Sequence, residues 1–164
     1  FGILNFDEAQ VEIADLSAMG RVLERRGPDR TGTCADGPAG IGHALLATTP
    51  ELVFERQPVK HPESGCVITA DVRLDNRDEL IARYGASVAA TDGALLAAAI
   101  ERDGPDGLRH VVGDFALACW DADGVLLARD AMGQRPLFIY RAPGAVFWST
   151  DLGILGAGPA RRRP

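Results

Sequence analysis

The chain has 164 residues, with 23 acidic against 17 basic side chains and a formal net charge of −6. At 46% hydrophobic and 24% charged it has the composition of one folded domain, long enough to bury roughly 70% of the surface its unfolded chain exposes, and not that of a disordered chain. The acidic balance excludes a surface built to track phosphates, hence nucleic acid as a partner, and the longest apolar run, Ala94 to Ile100, falls far short of the ~20 residues a membrane span needs.

Phe1 to Phe6 reads as a short apolar strand without the basic flank of a signal peptide. Ile13, Leu16, Met19 and Val22/Leu23 repeat at helical spacing and predict an amphipathic helix over roughly Val11 to Arg25, stopped by Gly27–Pro28. Cys34, beside Gly32 and Gly37, falls in a polar loop. Two apolar runs follow, Gly40 to Ala47 and Cys66 to Ala70, the second continued by Val72 and Leu74; a loop punctuated by Pro50, Pro58 and Pro62 separates them. Arg77 to Tyr84 and Thr91 to Arg102 read as helices, the second capped by Thr91 or Asp92 and stopped at Gly104–Pro105. Pro105 to Val111 reads as a further helical turn or short helix. The last third changes to hairpins: Phe115 to Trp120 returning as Val125 to Arg129, then Pro136 to Arg141 returning as Val146 to Ser149. Strands flanking a helical middle do not alternate as βαβ, so the fold class is α+β with antiparallel sheets.

Cys34, Cys66 and Cys119 are an odd, widely spaced set, expected of a reduced, cytoplasmic protein with no disulfide framework. Cys66 and Cys119 read as small core residues, and Met19 and Trp120 sit at core-facing spacing. No dinucleotide or phosphate-loop glycine motif, nucleophile elbow or zinc spacing occurs. Composition and spacing alone define an α+β domain with no evident active site.

Several polar–glycine clusters, in order, carry a resemblance. They are Arg26–Gly27–Pro28–Asp29, Gly42–His43, Gln57–Pro58, Asp75–Asn76–Arg77–Asp78–Glu79–Leu80 and Thr91–Asp92. They continue as Val112–Gly113–Asp114–Phe115, Ala128–Arg129–Asp130, Gly133, Arg135–Pro136–Leu137–Phe138 and Phe147–Trp148–Ser149–Thr150–Asp151. Over nearly the whole chain this order resembles the N-terminal class II glutamine amidotransferase domain of the asparagine synthetase family. The resemblance implies the Ntn-hydrolase fold, an αββα four-layer sandwich of two antiparallel sheets between helices. It assigns 1–158 to that domain and 159–164, with the basic run Arg161–Arg163, to the start of a linker toward a synthetase domain.

That family works with an N-terminal cysteine, whose thiolate attacks glutamine while the α-amine serves as base. Here the position is Phe1, which cannot be a nucleophile. The family arginine that grips the substrate carboxylate is Leu45, a loss worth roughly 1.5–3 kcal/mol of binding. The Asn-Gly of the oxyanion hole aligns with Asp71–Val72, where a carboxylate would repel the developing oxyanion. Asp92 matches the acid that holds the substrate ammonium, but an Asp ahead of a helical run is also a plain N-cap, the reading preferred here.

These departures describe a degenerate glutamine pocket of Leu45, Asp71, Val72 and Asp92 behind a lost nucleophile. The pattern resembles the branch that needs no ammonia, the lasso-peptide macrolactam synthetases (cyclases) and the β-lactam synthetases. The resemblance then implies a scaffold domain for an adenylating synthetase domain, in cis or in trans, where ATP and magnesium would act. It implies no cofactor or metal in this domain, and a peptide substrate or a homodimer as further partners. The alternatives are a stand-alone binding module using the remodelled pocket for a ligand or peptide, and an active glutaminase.

Overall fold

The computed structural model describes residues 1–61 and 64–157, the side chains of 156 and 157 excepted. Pro62 and the expected linker at 159–164 lie outside the described residues. The chain divides into two compact units, Phe1–Leu46 with the chain from Pro136 onward, and Ala47–Arg135.

The first unit is built on a five-stranded antiparallel sheet in the order β2-β3-β1-β9-β8. Its strands are β1 (Gly2–Asn5), β2 (Arg30–Asp36), β3 (Ala39–Leu45), β8 (Phe138–Ala142) and β9 (Ala145–Ser149). Phe1, Ile3, Ala145 and Phe147 face helix α1 (Ile13–Leu23), which returns Leu16, Met19 and Leu23 to the same core. A short helix α4 (Leu152–Ala157), absent from the sequence prediction, packs on α1 and β9 and adds the fully buried Ile154. Ile13, expected in the apolar stripe, is instead 52% exposed at the first turn of α1.

β2 corrects the sequence reading. The Cys34 segment is no loop but a strand, paired with β3 over seven registered positions from Arg30↔Leu45 to Asp36↔Ala39. Its residues, RTGTCAD, carry no apolar alternation. Its conformation comes from the hairpin it makes with β3 across the two-residue Gly37–Pro38 turn, which the apolar periodicity of its own residues does not register.

The second unit carries a four-stranded antiparallel sheet, order β4-β5-β6-β7, of Val59–Lys60, Val67–Leu74, Gly113–Asp121 and Gly124–Arg129. Helices α2 (Arg77–Tyr84) and α3 (Asp92–Asp103) cover one face. Ile68, Ala70, Val72 and Leu74 of β5 meet Leu80, Leu95, Leu96, Ala99 and Ile100 there. A 3-10 helix at Gly104–His110 stands where a further helical turn or short helix is expected, and another 3-10 turn forms at Glu51–Phe54.

The sequence expects no disulfide; the structure pairs Cys66 with Cys119, Cα atoms 6.7 Å apart. Cys119 lies opposite Ile68 in the β5–β6 ladder, so Cys66 is its diagonal neighbour on the helix-covered face. The sequence separation of 53 residues hides that adjacency. Trp120, expected in the core, is only half-buried.

Candidate functional site

Phe1 and Leu45 belong to the first unit, and Asp71, Val72 and Asp92 to the second. Phe1 lies opposite Gly42 on β3; the Phe1 ammonium donates to the Gly42 carbonyl at 3.1 Å, and Gly42 N–H donates back to the Phe1 carbonyl at 2.8 Å. The ring stands on the α1 side of the sheet, buried at 6% exposure. A Cβ on Gly42 would come within 2.1 Å of the ring's Cζ, and one on Gly20 of α1 within 3.5 Å. The ring thus fills a notch cut by two glycines, and the first side chain of the sequence is a core residue.

Strand alternation separates Leu45 from it. Ala44 packs into the α1-side core, so Leu45 and His43 project from the opposite face. Leu45 is itself buried, and its carbonyl accepts from Asp29 N–H at 3.0 Å. No cation stands at position 45 to hold a carboxylate. Burial drives the His43 imidazole down to about 4, with the Phe1 ammonium adding to the effect, so His43 is a neutral imidazole at neutral pH.

In the second unit the same alternation splits Asp71 from Val72. Val72 points into the core beneath α2 and α3, while Asp71 projects from the other face of β5. Asp71 sits half-exposed, 3.4 Å from the Arg135 guanidinium. Burial pushes its carboxyl up and Arg135 pulls it partly back. Arg135 is placed by Asp130, a buried carboxylate that accepts N–H groups from Phe115, Gln134 and Arg135 at 3.3, 2.9 and 3.0 Å. Those bonds, led by that from Arg135, hold the Asp130 carboxyl below the usual range.

Asp92 is not the N-cap. Thr91 caps α3, its hydroxyl accepting from Ala94 N–H at 3.3 Å. Asp92, one residue on, spends its carboxylate inside the unit. Oδ2 accepts Leu74 N–H at 2.8 Å and Oδ1 pairs with Arg77 Nη1. Arg77 Nη2 donates to the Ala90 carbonyl at 2.6 Å. Two further buried polar groups had no assigned role in the sequence reading. Glu55 accepts Gly93 N–H at 3.2 Å, and Gln57 bonds Ala70 and Thr69. A Cβ on Gly93 would stand 2.6 Å from Gln57 Nε2 and 2.8 Å from Glu55 Oε2, so glycine there admits both side chains to the start of α3.

A family model described as a glutamine amidotransferase domain matches residues 1–162. The chain belongs to the glutamine amidotransferase domain family. Among curated relatives this amidotransferase domain is 26% identical to asparagine synthetase B (glutamine-hydrolyzing) of Escherichia coli K12, over 94% of the chain and 29% of that protein. It is 32% identical to a putative glutamine-hydrolyzing asparagine synthetase of Mycobacterium bovis, over 75% of the chain and 21% of that protein. It is 35% identical to carboxyethyl-arginine β-lactam synthase of Streptomyces clavuligerus, over 70% and 23%. The chain therefore spans less than a third of the length of these relatives. Among solved structures, glutamine phosphoribosylpyrophosphate amidotransferase of B. subtilis superposes with a TM-score of 0.79 at 18% identity, covering 95% of this chain and 42% of that one. The amidotransferase domain thus has the expected α+β, Ntn-hydrolase-type fold, with two antiparallel sheets and their helices. Among the described residues no helix is long and apolar enough to cross a membrane.

Proposed function

We propose that this chain is a catalytically degenerate glutaminase-like domain of an asparagine synthetase-type, ATP-dependent amide-bond-forming enzyme, of the lasso-peptide cyclase kind. It acts as a scaffold for the adenylating synthetase domain. One observation carries the reading: the position of the family nucleophile holds a phenyl ring, and that ring is built into the core between Gly42 and Gly20. A thiolate nucleophile must be ionisable and free to reach its substrate; Phe1 is neither. Leu45 in place of a carboxylate-gripping cation and Asp71 at the oxyanion position point the same way.

In this reading ATP and magnesium are bound by the synthetase domain, and the amide nitrogen comes from an amine of the substrate itself. The similarity to a β-lactam synthase is compatible with that branch. Incubation of the chain with glutamine should release no ammonia above a buffer blank; sustained release overturns the reading. Co-expressed with its synthetase domain, the chain should co-purify with it and raise its melting temperature. Failure of both removes the scaffold role.

A second reading, a binding module, draws on Asp71 and Arg135, a half-exposed ion pair on the β5 face opposite α2 and α3. Chemical-shift perturbation confined to these two residues on adding a peptide substrate would favour it.

A further inference from the structure

We propose that Arg77 is an internal cation occupying the site of Asp92, so that this carboxylate is closed to any external ammonium or guanidinium group. The inference rests on the reading above in one respect only, that Asp92 stands where the family holds an ammonium.

The two carboxylates of the 47–135 unit in candidate positions differ sharply. Asp71 is 43% exposed and meets one guanidinium nitrogen at 3.4 Å, beyond the usual reach of a charge-assisted hydrogen bond. Asp92 is 16% exposed, with both oxygens engaged: Leu74 N–H on one, Arg77 on the other. Arg77 is 26% exposed and is itself anchored twice, by Asp92 and by the Ala90 carbonyl. The cluster joins the end of β5, the first turn of α2 and the residues leading into α3. Asp92 also sits in the first turn of α3, where the helix dipole favours its negative charge. A planar guanidinium with several donors fits such a fixed set of acceptors better than a mobile ammonium would. An external cation must therefore displace a tethered internal one, and the tethered group has the advantage of effective concentration.

The test is chemical rescue. Arg77→Gly removes the internal cation and leaves Asp92 in place. Its melting temperature should fall by several degrees, and added ethylguanidinium or ethylammonium should restore part of the loss and shift the Leu74 amide resonance. The wild-type chain should show neither response, and the Arg77→Gly/Asp92→Asn double variant should lose both. If Arg77→Gly does not fold alone, refolding in the presence of ethylguanidinium is the same test, and failure to refold overturns the proposal. A single variant with wild-type melting and no response to either cation also overturns it, as does an equal response in the double variant. Ammonia release from glutamine is scored separately in the wild-type chain, so failure of the pseudo-glutaminase reading is told apart from failure of the cation site.

Discussion

Phe1→Cys, made in the chain that begins at residue 1, supplies the thiol that the proposed reading says is missing and removes the ring the core needs. The ring is 6% exposed and lies against the bare backbones of Gly42 and Gly20. Neither glycine has a side chain that could collapse into the vacated space. Truncating a buried Phe to Ala costs about 3–5 kcal/mol when the cavity persists. A cysteine keeps one heavy atom more than alanine, so the expected loss is about 2–4 kcal/mol. For a chain of this length that lowers the melting temperature by roughly 6–12 °C. Calorimetry or thermal circular dichroism reads the shift, and a coupled ammonia assay on the same sample reads glutaminase activity. The expected result is a destabilised domain without turnover, because Leu45 and Asp71 are unchanged. An unshifted melting temperature would refute the core role of Phe1. Turnover in this single variant would refute the assignment of Leu45 and Asp71 to a disabled pocket.

The remaining predictions concern the same two units. Gly42→Ala drives a Cβ against the Phe1 ring and should cost about 1–3 kcal/mol by overpacking; in a Phe1→Ala background that cost should largely vanish, which a double-mutant cycle of melting curves reads as coupling. Gln57→Ala deletes a buried amide that both donates to and accepts from Ala70 and should cost about 2–3 kcal/mol, measured by urea titration. His43 has a folded-state value lowered to about 4 by burial, so the folded state binds fewer protons than the unfolded one. Its contribution is fully present above the unfolded value near 6.5 and is lost as pH falls from there toward 4, by up to about 3 kcal/mol. The difference in stability between wild type and His43→Gln across that window should show the slope, and equal curves would exclude it.

How far the sequence reaches depends on whether the cause of a feature is local. Helix α2 spans Arg77–Tyr84 as its spacing predicts, and both late hairpins form around their turns, because local propensity and turn chemistry are sufficient there. Arg30–Asp36 also forms a hairpin, with β3 across Gly37–Pro38, but its own residues lack the apolar alternation that marks a strand. At the candidate site, the resemblance singles out positions 1, 45, 71 and 72, but not the side of the sheet each occupies. That follows from register, which sends Phe1 and Leu45 to opposite faces and turns Val72 into the core. Asp92 was legible as a helix-start residue, yet its partner Arg77 lies 15 residues away on another helix, and a single sequence does not reveal such pairs.

Gln57 has a bearing on solubility. β4 is only two residues long, so most of the outer edge of β5 would otherwise present free N–H and C=O groups to any passing strand, the usual starting point of edge-to-edge aggregation. The β4–β5 register, continued backward, places Gln57 opposite Ala70. There its side-chain amide takes the carbonyl and the N–H of Ala70 as a neighbouring strand's backbone would. Gln57 thus occupies the main-chain groups of Ala70 on this edge, as Asp92 occupies Leu74 N–H further along it, and a change at position 57 should show itself first as self-association of otherwise folded chains.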